Sequence, residues 1–457
     1  MSTFQGLSVA LSSLQAQRRA MDVAGQNVAN AATPGYTRQR ADLVSLQGPI
    51  TSLSGSARSW TTGNGVAVAQ VARLTDRLAS SRVEITSGEA ALASTRSGVL
   101  GAVQAGFSEP SDTGLQNKLG QMWGAWSGLA DADPLGTQGA AARVTVVGRS
   151  EEVAATLREG AAQTAATWTD VRAELGTLES SVNSMATSVA DLNRLITITE
   201  TTGAPAHELA DQRDQLVRQL SELVGATSTP RADGGVDVLV GGEALVTGAV
   251  ARQVAVTGPL AMTGASTAAT SVTFADTGAS AAVGGAAAAL TEALTTTLPG
   301  VMAGYDGVAA SVATRVNDLH GAPPVFTATD GGAVTAATIT ASISAADVRA
   351  GTADRDVSVA SAVAGLAEDA SGPDGRWRTL VVGYAGAAAA AEVRATAAVT
   401  NRDSAQGTLT ASTAVDVDSE MVDLLTFQRA YEGAARVLTA VDEMLDTLIN
   451  RTGVVGR

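Results

Sequence analysis

Apolar residues recur at alternating intervals of three and four at both ends of the chain. This spacing forms the seam of a helix that packs against another helix. The stripe near the start comprises Phe4, Leu7, Leu11, Leu14, Met21 and Val28, and Arg18 and Gly25 occupy two further positions of the same stripe. The stripe near the end comprises Leu424, Phe427, Tyr431, Ala434, Leu438, Val441, Leu445 and Leu448. The pattern predicts either that the two ends pair with each other or that each helix meets a neighbouring subunit, and periodicity alone leaves both open.

Helical spacing also dominates residues 70–225, where we predict long helices. One run covers residues 115–129 and stops before Pro134, because the residue preceding a proline disfavours the helical conformation. Two further runs cover about 153–198 and 207–224. These segments would form the bulk of the protein.

Beyond Thr227 apolar and polar positions alternate instead, which is typical of strands. The run at residues 236–240 ends at Gly241 and Gly242, and this pair predicts a two-residue hairpin loop. We therefore expect a small β-rich region over residues 227–285.

Helical spacing returns over residues 288–320. Residues 321–375 are predicted as loop and short strand, and a helix resumes at about Trp377. The order predicts a mainly α fold with a β-rich insertion, in which a long helical bundle or coiled coil is built from both chain ends and a small β domain projects from it. The predicted domains are a terminal coiled-coil domain (1–45 and 411–457), a helical rod-like domain (46–226 and 288–410) and an inserted β-rich domain (227–287).

Composition limits the partners. The 457 residues carry a formal net charge of -15 and a single lysine, Lys118. A nucleic-acid-binding face needs clustered Lys and Arg, so nucleic acid is not a predicted partner. The longest uncharged runs are mixtures of Thr, Ser, Gly and Ala, and the start of the chain lacks the charged and apolar regions of a signal peptide. We predict a soluble chain with no membrane insertion and no ordinary signal-peptide secretion.

Catalytic and metal chemistry is sparse. The chain has no cysteine, which excludes disulfides and thiolate metal sites. His207 and Glu208 resemble the start of an H-E-x-x-H zinc helix, but the second histidine is missing. His320 ends a helix where a cation would interact well with the helix dipole, so we predict a capping role. Adjacent carboxylates such as Asp442 and Glu443 are interpreted as a polar helix face. We therefore predict no catalytic residue, no metal site and no cofactor, and a protein that is not an enzyme.

One short stretch near the start, NVANAATPGYTRQ at residues 27–39, joins a helix tail to a Pro-Gly turn. The turn predicts a sharp helix end, and an asparagine can stabilise the exit through local side-chain bonds. The aromatic and basic residues that follow would be presented where the chain leaves the helix. The simpler interpretation is an ordinary helix stop that packs on its own subunit. The residues of this turn motif are Asn27, Asn30, Pro34, Gly35, Tyr36 and Arg38.

The same stretch resembles the N-terminal signature of axial proteins of the bacterial flagellum, and MVDLLTFQRAYEGAARVLTAVDEMLDTLINR resembles their terminal helix. Three further stretches, EPSDTGLQNKLGQMWGAWSGLADADP, HELADQRDQLVRQLSELV and SVATRVNDLH, resemble the flagellar hook-associated protein 1 family. The resemblance covers residues 1–248 and about 290–457 but fails over 249–289. It also departs at 415–420, where the family has a V-N-L-D-E-E type run.

The resemblance implies a structural subunit that joins the hook of the flagellum to its filament. Both terminal stripes would be subunit interfaces in an inner coiled-coil tube, and the turn motif would set the geometry between that tube and the outer rod. Implied partners are further copies in a ring or helical assembly, the hook protein, the next hook-associated junction protein and a cytoplasmic export chaperone that holds the C-terminal stripe. The implied location is extracellular, at the hook–filament junction, after type III export without a cleaved signal peptide.

Two other functions compete with this one. Another flagellar axial protein, such as a hook or distal rod subunit, shares the terminal motifs, but those proteins become strand-rich soon after the N-terminal signature. An enzyme or an adhesive patch could occupy residues 249–289, although that stretch contains no His, Lys, Glu or Cys and only one acidic residue, Asp276.

Overall fold

The computed structural model describes residues 3–46, 63–264 and 268–447, with side chains from Gln5 onward. Long helices dominate these residues, and the strands are short, so the predicted mainly α fold with a β-rich insertion is confirmed. The helices are α1 (Thr3–Asn30), α2 (Arg77–Gly106), α3 (Leu115–Asp131), α4 (Thr137–Thr201), α5 (His207–Val224), α6 (Gly285–Glu292), α7 (Leu298–His320), α8 (Ser358–Ala364), α9 (Pro373–Thr413) and α10 (Val417–Asp446). The strands are β1 (Gln39–Ser45), β2 (Val66–Arg73), β3 (Thr227–Pro230), β4 (Val236–Val240), β5 (Glu243–Thr247), β6 (Val250–Ala251), β7 (Val254–Thr257), β8 (Ser271–Phe274), β9 (Phe326–Ala328) and β10 (Ile339–Ala341).

The two ends of the chain pair with each other. Helices α1 and α10 pack side by side. A Cβ built on Gly6 would lie 3.5 Å from Val441 Cγ2, and Asn27 bonds to Glu420 at the opposite end of the pair. The helices are therefore antiparallel, and of the two alternatives that the sequence leaves open, the structure shows the pairing of the chain ends within one molecule.

The seam of this pair differs from the predicted stripes. The fully buried apolar positions of α1 are alanines, and Leu11 is 51% exposed. In α10 the buried positions include Ala434 and Val441. The other described stripe residues are half-buried, apart from the more exposed Tyr431: Leu7, Leu14, Met21, Val28, Leu424, Phe427, Leu438 and Leu445. The side chain of Phe4 and all of Leu448 lie outside the described residues.

The body of the molecule consists of helices from both halves of the chain. Helix α2 runs along α9, while α4 packs against α3, α5 and α7. The core contains fully buried Trp126, Trp168 and Trp377, together with Phe274 and Phe326. Large aromatic side chains gain much free energy on burial, so this region has a core of its own.

Helix α4 is much longer than the predicted run. It contains 65 residues and therefore spans about 100 Å at 1.5 Å per residue. The helix begins sixteen residues before Val153. Its first part is only weakly amphipathic in the sequence, because Gly and Ala separate the apolar positions.

The inserted region contains the predicted hairpin. Strands β3 to β6 form an antiparallel sheet in the order β3-β4-β5-β6, and β7 pairs with β8. Gly241 and Gly242 connect β4 to β5 with φ of 59° and 89°, a left-handed backbone that glycine adopts without strain. The division of the chain into three domains stays a prediction.

Two parts of the fold were not predicted. Residues 70–76, expected to be helical, include the end of β2, which pairs with β1 in an antiparallel hairpin against α1. The segment 321–375 contains β9 and β10 as expected, but also α8 and a 3-10 turn at Gly365–Glu368. Both errors concern short elements whose conformation depends on the helices they contact.

Several strand edges are covered by side chains of long helices, which we call edge clips. From α4, Asn183 accepts the N–H of Val254 at 2.8 Å and donates to its carbonyl at 2.9 Å. Asn193 forms the same pair of bonds with Val236, at the start of the interior strand β4 and before its pairing with β5 begins. From α7, Asn317 accepts the N–H of Phe326 and donates to its carbonyl.

Candidate functional site

The terminal helix pair joins the body at the turn motif. Helix α1 ends at Asn30, and the turn returns the chain past α5 and α10 before β1 begins at Gln39. Gly35 has a φ of 83°, in the left-handed region that favours glycine. The Asn30 side chain accepts from Thr33 Oγ1 at 3.2 Å and donates to the Gln26 carbonyl at 3.0 Å, as the predicted local bonding requires. Pro34 and Gly35 themselves are exposed.

Asn27 is the centre of the joint. Its Oδ1 accepts from the Tyr36 hydroxyl at 2.9 Å and from the Gln39 N–H at 3.0 Å. Its Nδ2 donates to the Gln39 carbonyl at 2.7 Å and to Glu420 Oε2 at 3.1 Å. Asn27 is thus an edge clip on β1 that also binds α10, and its amide is fully used.

The buried carboxylate of Glu420 ties α10 to the turn. It accepts from Asn27 and from Arg38 Nε, the latter at 2.6 Å. Arg38 also approaches Asp423 at 3.4 Å, and its backbone N–H donates to the carbonyl of Thr413 at the end of α9. A buried carboxylate requires such partners, so removing either donor would leave it uncompensated.

Helix α5 holds the other side of the turn. Asp211 accepts from the Thr37 hydroxyl at 2.7 Å and from the Thr37 N–H at 3.2 Å. Arg73 of β2 lies 3.3 Å from Asp211 and 2.6 Å from Asp214. The turn is therefore fixed to α1, α5, α10 and the β1–β2 hairpin at once.

The electrostatics of this joint favour neutral donors beside carboxylates. Burial, with the nearby charges of Glu208, Asp211 and Glu420, raises the pKa of Tyr36 to about 12. Its hydroxyl therefore stays protonated near neutral pH and donates to Asn27. Burial also raises the pKa of Asp211, against the opposing effect of Arg73 and Thr37.

Two grooves flank the joint. One of about 460 Å³ lies between α1, β2 and the start of α5, with Arg18, Arg19 and Asp22 on the α1 side. The other, of about 230 Å³, lies beside Pro34 and Tyr36. Within the described parts of the chain no group of three or more potential metal ligands occurs.

Sequence reasoning found the turn but missed its partners. The predicted residues Asn27, Tyr36 and Arg38 are brought together, whereas Glu420 and Asp211 were not singled out. Glu420 lies four residues before Leu424 on the apolar stripe of α10. A carboxylate at such a position was the available signal for a buried partner.

Both histidines have structural roles. His207 Nε2 lies 2.9 Å from the Val71 carbonyl and belongs to the groove beside α1. The prediction of a cationic cap at His320 is wrong: the ring is buried, its Nδ1 donates to the Pro323 carbonyl and its Nε2 accepts the Arg349 N–H. Burial lowers the pKa of His320, and these bonds require the neutral ring.

The stretches that carry the family resemblance supply further joints of the body. Glu109 accepts from Trp377 Nε1 at 3.0 Å, linking the α2–α3 loop to α9. Asp374 accepts from Trp123 Nε1 and from Gln116, both at 2.7 Å. These polar groups lock the core aromatics into one arrangement.

Comparisons with known families cover the same three parts. The flagellar hook-associated protein FlgK helical domain matches residues 100–323, the flagella basal body rod protein family matches 7–37, and the flagellar basal body rod FlgEFG protein C-terminal family matches 405–451. Flagellar hook-associated protein 1 of Bacillus subtilis (strain 168) is 26% identical over 511 aligned positions that cover 100% of each chain. The chain thus contains the FlgK helical domain and is similar to flagellar hook-associated protein 1 along its whole length.

Further proteins named flagellar hook-associated protein 1 match in part. The protein from Salmonella typhimurium is 27% identical over 54% of this chain, and the match spans 43% of that relative. The Escherichia coli protein is 26% identical over 54% of this chain and 44% of its own length. A solved structure, the flagellar hook junction protein FlgK from Burkholderia pseudomallei, aligns with a TM-score of 0.45 and 22% identity, covering 56% of this chain and 46% of that one.

The family is one of flagellar structural proteins. The match at 7–37 spans most of α1 and the turn, the match at 405–451 spans α10, and the match at 100–323 spans much of the body. No helix among the described residues has the length and apolar character needed to cross a bilayer.

Proposed function

We propose that this chain is a structural subunit that joins the hook of the bacterial flagellum to its filament and assembles through α1 and α10. The observation that carries the proposal is the make-up of this helix pair. Its seam is closed mainly by alanines, so several larger apolar side chains stay outside it. Leu11, Met421, Leu425, Val437 and Met444 are all at least one third exposed.

An isolated pair of this kind is weakly stabilised, because alanine buries little apolar area. Neighbouring copies would cover the exposed residues and supply the missing burial. Each side chain of this size contributes roughly 1.5 to 3 kcal/mol when fully buried. Assembly would therefore stabilise the chain ends much more than it stabilises the body.

The turn motif supports the same proposal. A rigid joint between the terminal pair and the body fixes the angle at which the body leaves the assembled helices. The predicted role of Asn27, Asn30, Pro34, Gly35, Tyr36 and Arg38 in setting the geometry between inner tube and outer rod is part of this proposal.

The proposed partners are further copies, the hook protein, the next hook-associated junction protein and a cytoplasmic export chaperone. The chaperone would cover the exposed apolar residues of α10 before export, since such surfaces otherwise self-associate. The proposed location is outside the cell at the hook–filament junction, after export without a cleaved signal peptide. The competing axial role, as a hook or distal rod subunit, is disfavoured by the family match over 100–323.

Deleting the gene and examining the cells by electron microscopy tests the proposal. We expect hooks without filaments and flagellin released into the medium, both reversed by a wild-type copy on a plasmid. Truncated rods without hooks would instead indicate a rod or hook subunit. Normal filaments would overturn the junction role.

A further inference from the structure

The exposed charges of the terminal helix pair include two groups that lie at different heights, with Arg436 between them. Near the middle, exposed Arg18, Arg19 and Arg429 form what we call the arginine belt. Near the far end, exposed Asp442 and Glu443 form the acidic tip. None of these five side chains forms an ion pair with another residue in the part of the chain that the structure describes.

The antiparallel register places the belt on both helices at one height. Gly6 lies beside Val441 and Asn27 beside Glu420, so Arg18 lies level with Arg429. Asp22 and Glu432 are one helical turn from the belt, yet neither pairs with it in the described structure. The belt arginines are therefore available to a partner.

The tip and the belt cannot meet within one chain. Glu443 is fourteen positions from Arg429 along a continuous helix, which corresponds to about 21 Å. Glu443 is also two positions beyond Val441, so it lies on the side of α10 that faces away from α1. Both groups thus point to a contact with another molecule.

We propose that the acidic tip of one copy docks on the arginine belt of the next, with the two copies parallel and shifted by about 20 Å along the helix axis. This inference rests on the proposed function and adds the register between copies. Without the shift, tip would face tip and belt would face belt, and like charges would repel. With the shift, opposite charges meet.

The belt also has space for an incoming side chain. Arg18 and Arg19 line the groove of about 460 Å³ between α1 and the start of α5. Asp22 also lines the α1 side and Glu208 the opposite wall, so the groove is close to neutral as a whole and its α1 side keeps a net positive charge. Because each copy carries both a tip and a belt at different heights, the contact repeats without closing on itself and builds a helical assembly.

Exposed ion pairs contribute little free energy individually, so the contact is expected to select the register more than to supply affinity. Charge reversal tests this selection. Tip reversal (Asp442→Arg with Glu443→Arg) and belt reversal (Arg18→Glu, Arg19→Glu and Arg429→Glu) should each reduce filaments per cell by about tenfold in the deletion strain, because attraction becomes repulsion.

The combined variant carries both reversals and restores opposite charges at every contact. Its filament number should return to within about twofold of wild type. A matched control, Asp170→Arg with Glu174→Arg on the exposed face of α4, should behave as wild type. The register is contradicted if single reversals assemble normally or if the combined variant is no better than either one.

Cross-linking gives a second readout that does not depend on reversed charges. Because the chain has no cysteine, Arg18→Cys with Glu443→Cys introduces the only two thiols. Their separation within one chain is too great for a disulfide, which needs Cα atoms about 4.4 to 6.8 Å apart. Oxidised flagellar preparations should therefore contain cross-linked oligomers of the chain.

The control pair Val417→Cys with Glu443→Cys should stay monomeric, since those positions are about 39 Å apart along α10 and no register change of about 20 Å joins them. Absence of oligomers from the first pair would overturn the register. If the wild-type gene proves unnecessary for filaments, the proposed function fails first; if it is necessary but reversal and cross-linking give negative results, only the register fails.

Discussion

The terminal helix pair and the body bury different kinds of side chain. In the body, Trp126, Trp168 and Trp377 are fully buried among large aliphatic residues. In the α1–α10 pair, alanines close the seam, while residues as large as Leu11 and Met444 remain about half exposed. The body also exposes apolar side chains, such as Leu78 and Val393, but it has a core of large aromatic residues, whereas the seam of the pair is closed by small ones.

The largest effect is expected in the core of the body. Trp168→Ala removes a fully buried ring and its bond from Nε1 to the Leu294 carbonyl, so we expect the free energy of unfolding to fall by about 3 to 5 kcal/mol. Chemical denaturation followed by circular dichroism measures the change. Leu195→Ala, half exposed on the same helix, is the control and should lose about 1 kcal/mol or less. Equal midpoints for the two variants would contradict a core centred on α4.

The second effect concerns the joint between the two regions. Asn27→Ala leaves the N–H and C=O of Gln39 and the hydroxyl of Tyr36 without their partner. Each buried polar group left unsatisfied lowers the free energy of unfolding by about 1 to 3 kcal/mol. Hydrogen exchange should become faster in β1 and in the first turns of α10. Asn30→Ala, which breaks only local bonds at the turn, should leave exchange in α10 unchanged. If hydrogen exchange in α10 is the same in both variants, the joint does not depend on Asn27.

A smaller effect depends on pH. Glu84, 7% exposed in α2, accepts from the Ser228 N–H at 2.9 Å and from its hydroxyl at 2.7 Å, and burial raises its pKa. The folded chain therefore binds this proton more tightly than the unfolded chain, and stability falls as pH rises from the ordinary value of 4.5 through the raised pKa.

Glu84→Gln is neutral at all pH values and can still accept from the N–H and donate to the hydroxyl of Ser228. We expect the variant to gain stability relative to wild type as pH rises from about 4.5 to neutral. Denaturation midpoints across this range measure the difference. Glu89→Gln, exposed on the same helix, should follow the wild-type profile. A constant difference between Glu84→Gln and wild type would contradict the raised pKa.

The smallest effect on the isolated chain is expected at Leu11. Because its side chain is about half exposed, Leu11→Ser should change the free energy of unfolding by about 0.5 kcal/mol or less. The same variant should restore filaments poorly in the deletion strain if neighbouring copies cover this residue. Full restoration would show that the exposed leucine has no partner, and the contrast between the two regions would lose its functional meaning.

Long-range periodicity made much of the fold predictable. Local sequence patterns predict the helices at both chain ends, the helices α3 and α5, and the hairpin at the glycine pair 241–242. The β1–β2 hairpin was missed because its alternation is weak and α1 provides the surface on which it packs. The alanine seam was missed because heptad reasoning assigns the largest residues to the seam, whereas close helix approach here favours small ones.

Of the candidate site, only the turn was predictable from the sequence, and its distant partners were not. The turn chemistry of Asn30, Pro34 and Gly35 is local, so it can be read from neighbouring residues. The partners Glu420 and Asp211 are separated from the turn by more than 150 residues in the sequence. Nothing in the local sequence specifies which carboxylates the turn residues bind. His320 was mistaken for a cation because its partner Arg349 comes from a later loop that buries it.

The edge clips have a consequence for solubility. An open strand edge is a template on which a strand from another chain can add, and that is a common route to aggregation. Along the outer edge of β7, Asn183 accepts the N–H of Val254. Glu179 accepts the N–H of Val256, and Arg172 donates to its carbonyl. On β10, Glu151 binds the N–H of Ala341 and Arg158 the carbonyl of Ile339. Helix α4 thus acts in place of a neighbouring strand, and these edges stay closed to foreign strands where copies of the chain are crowded together.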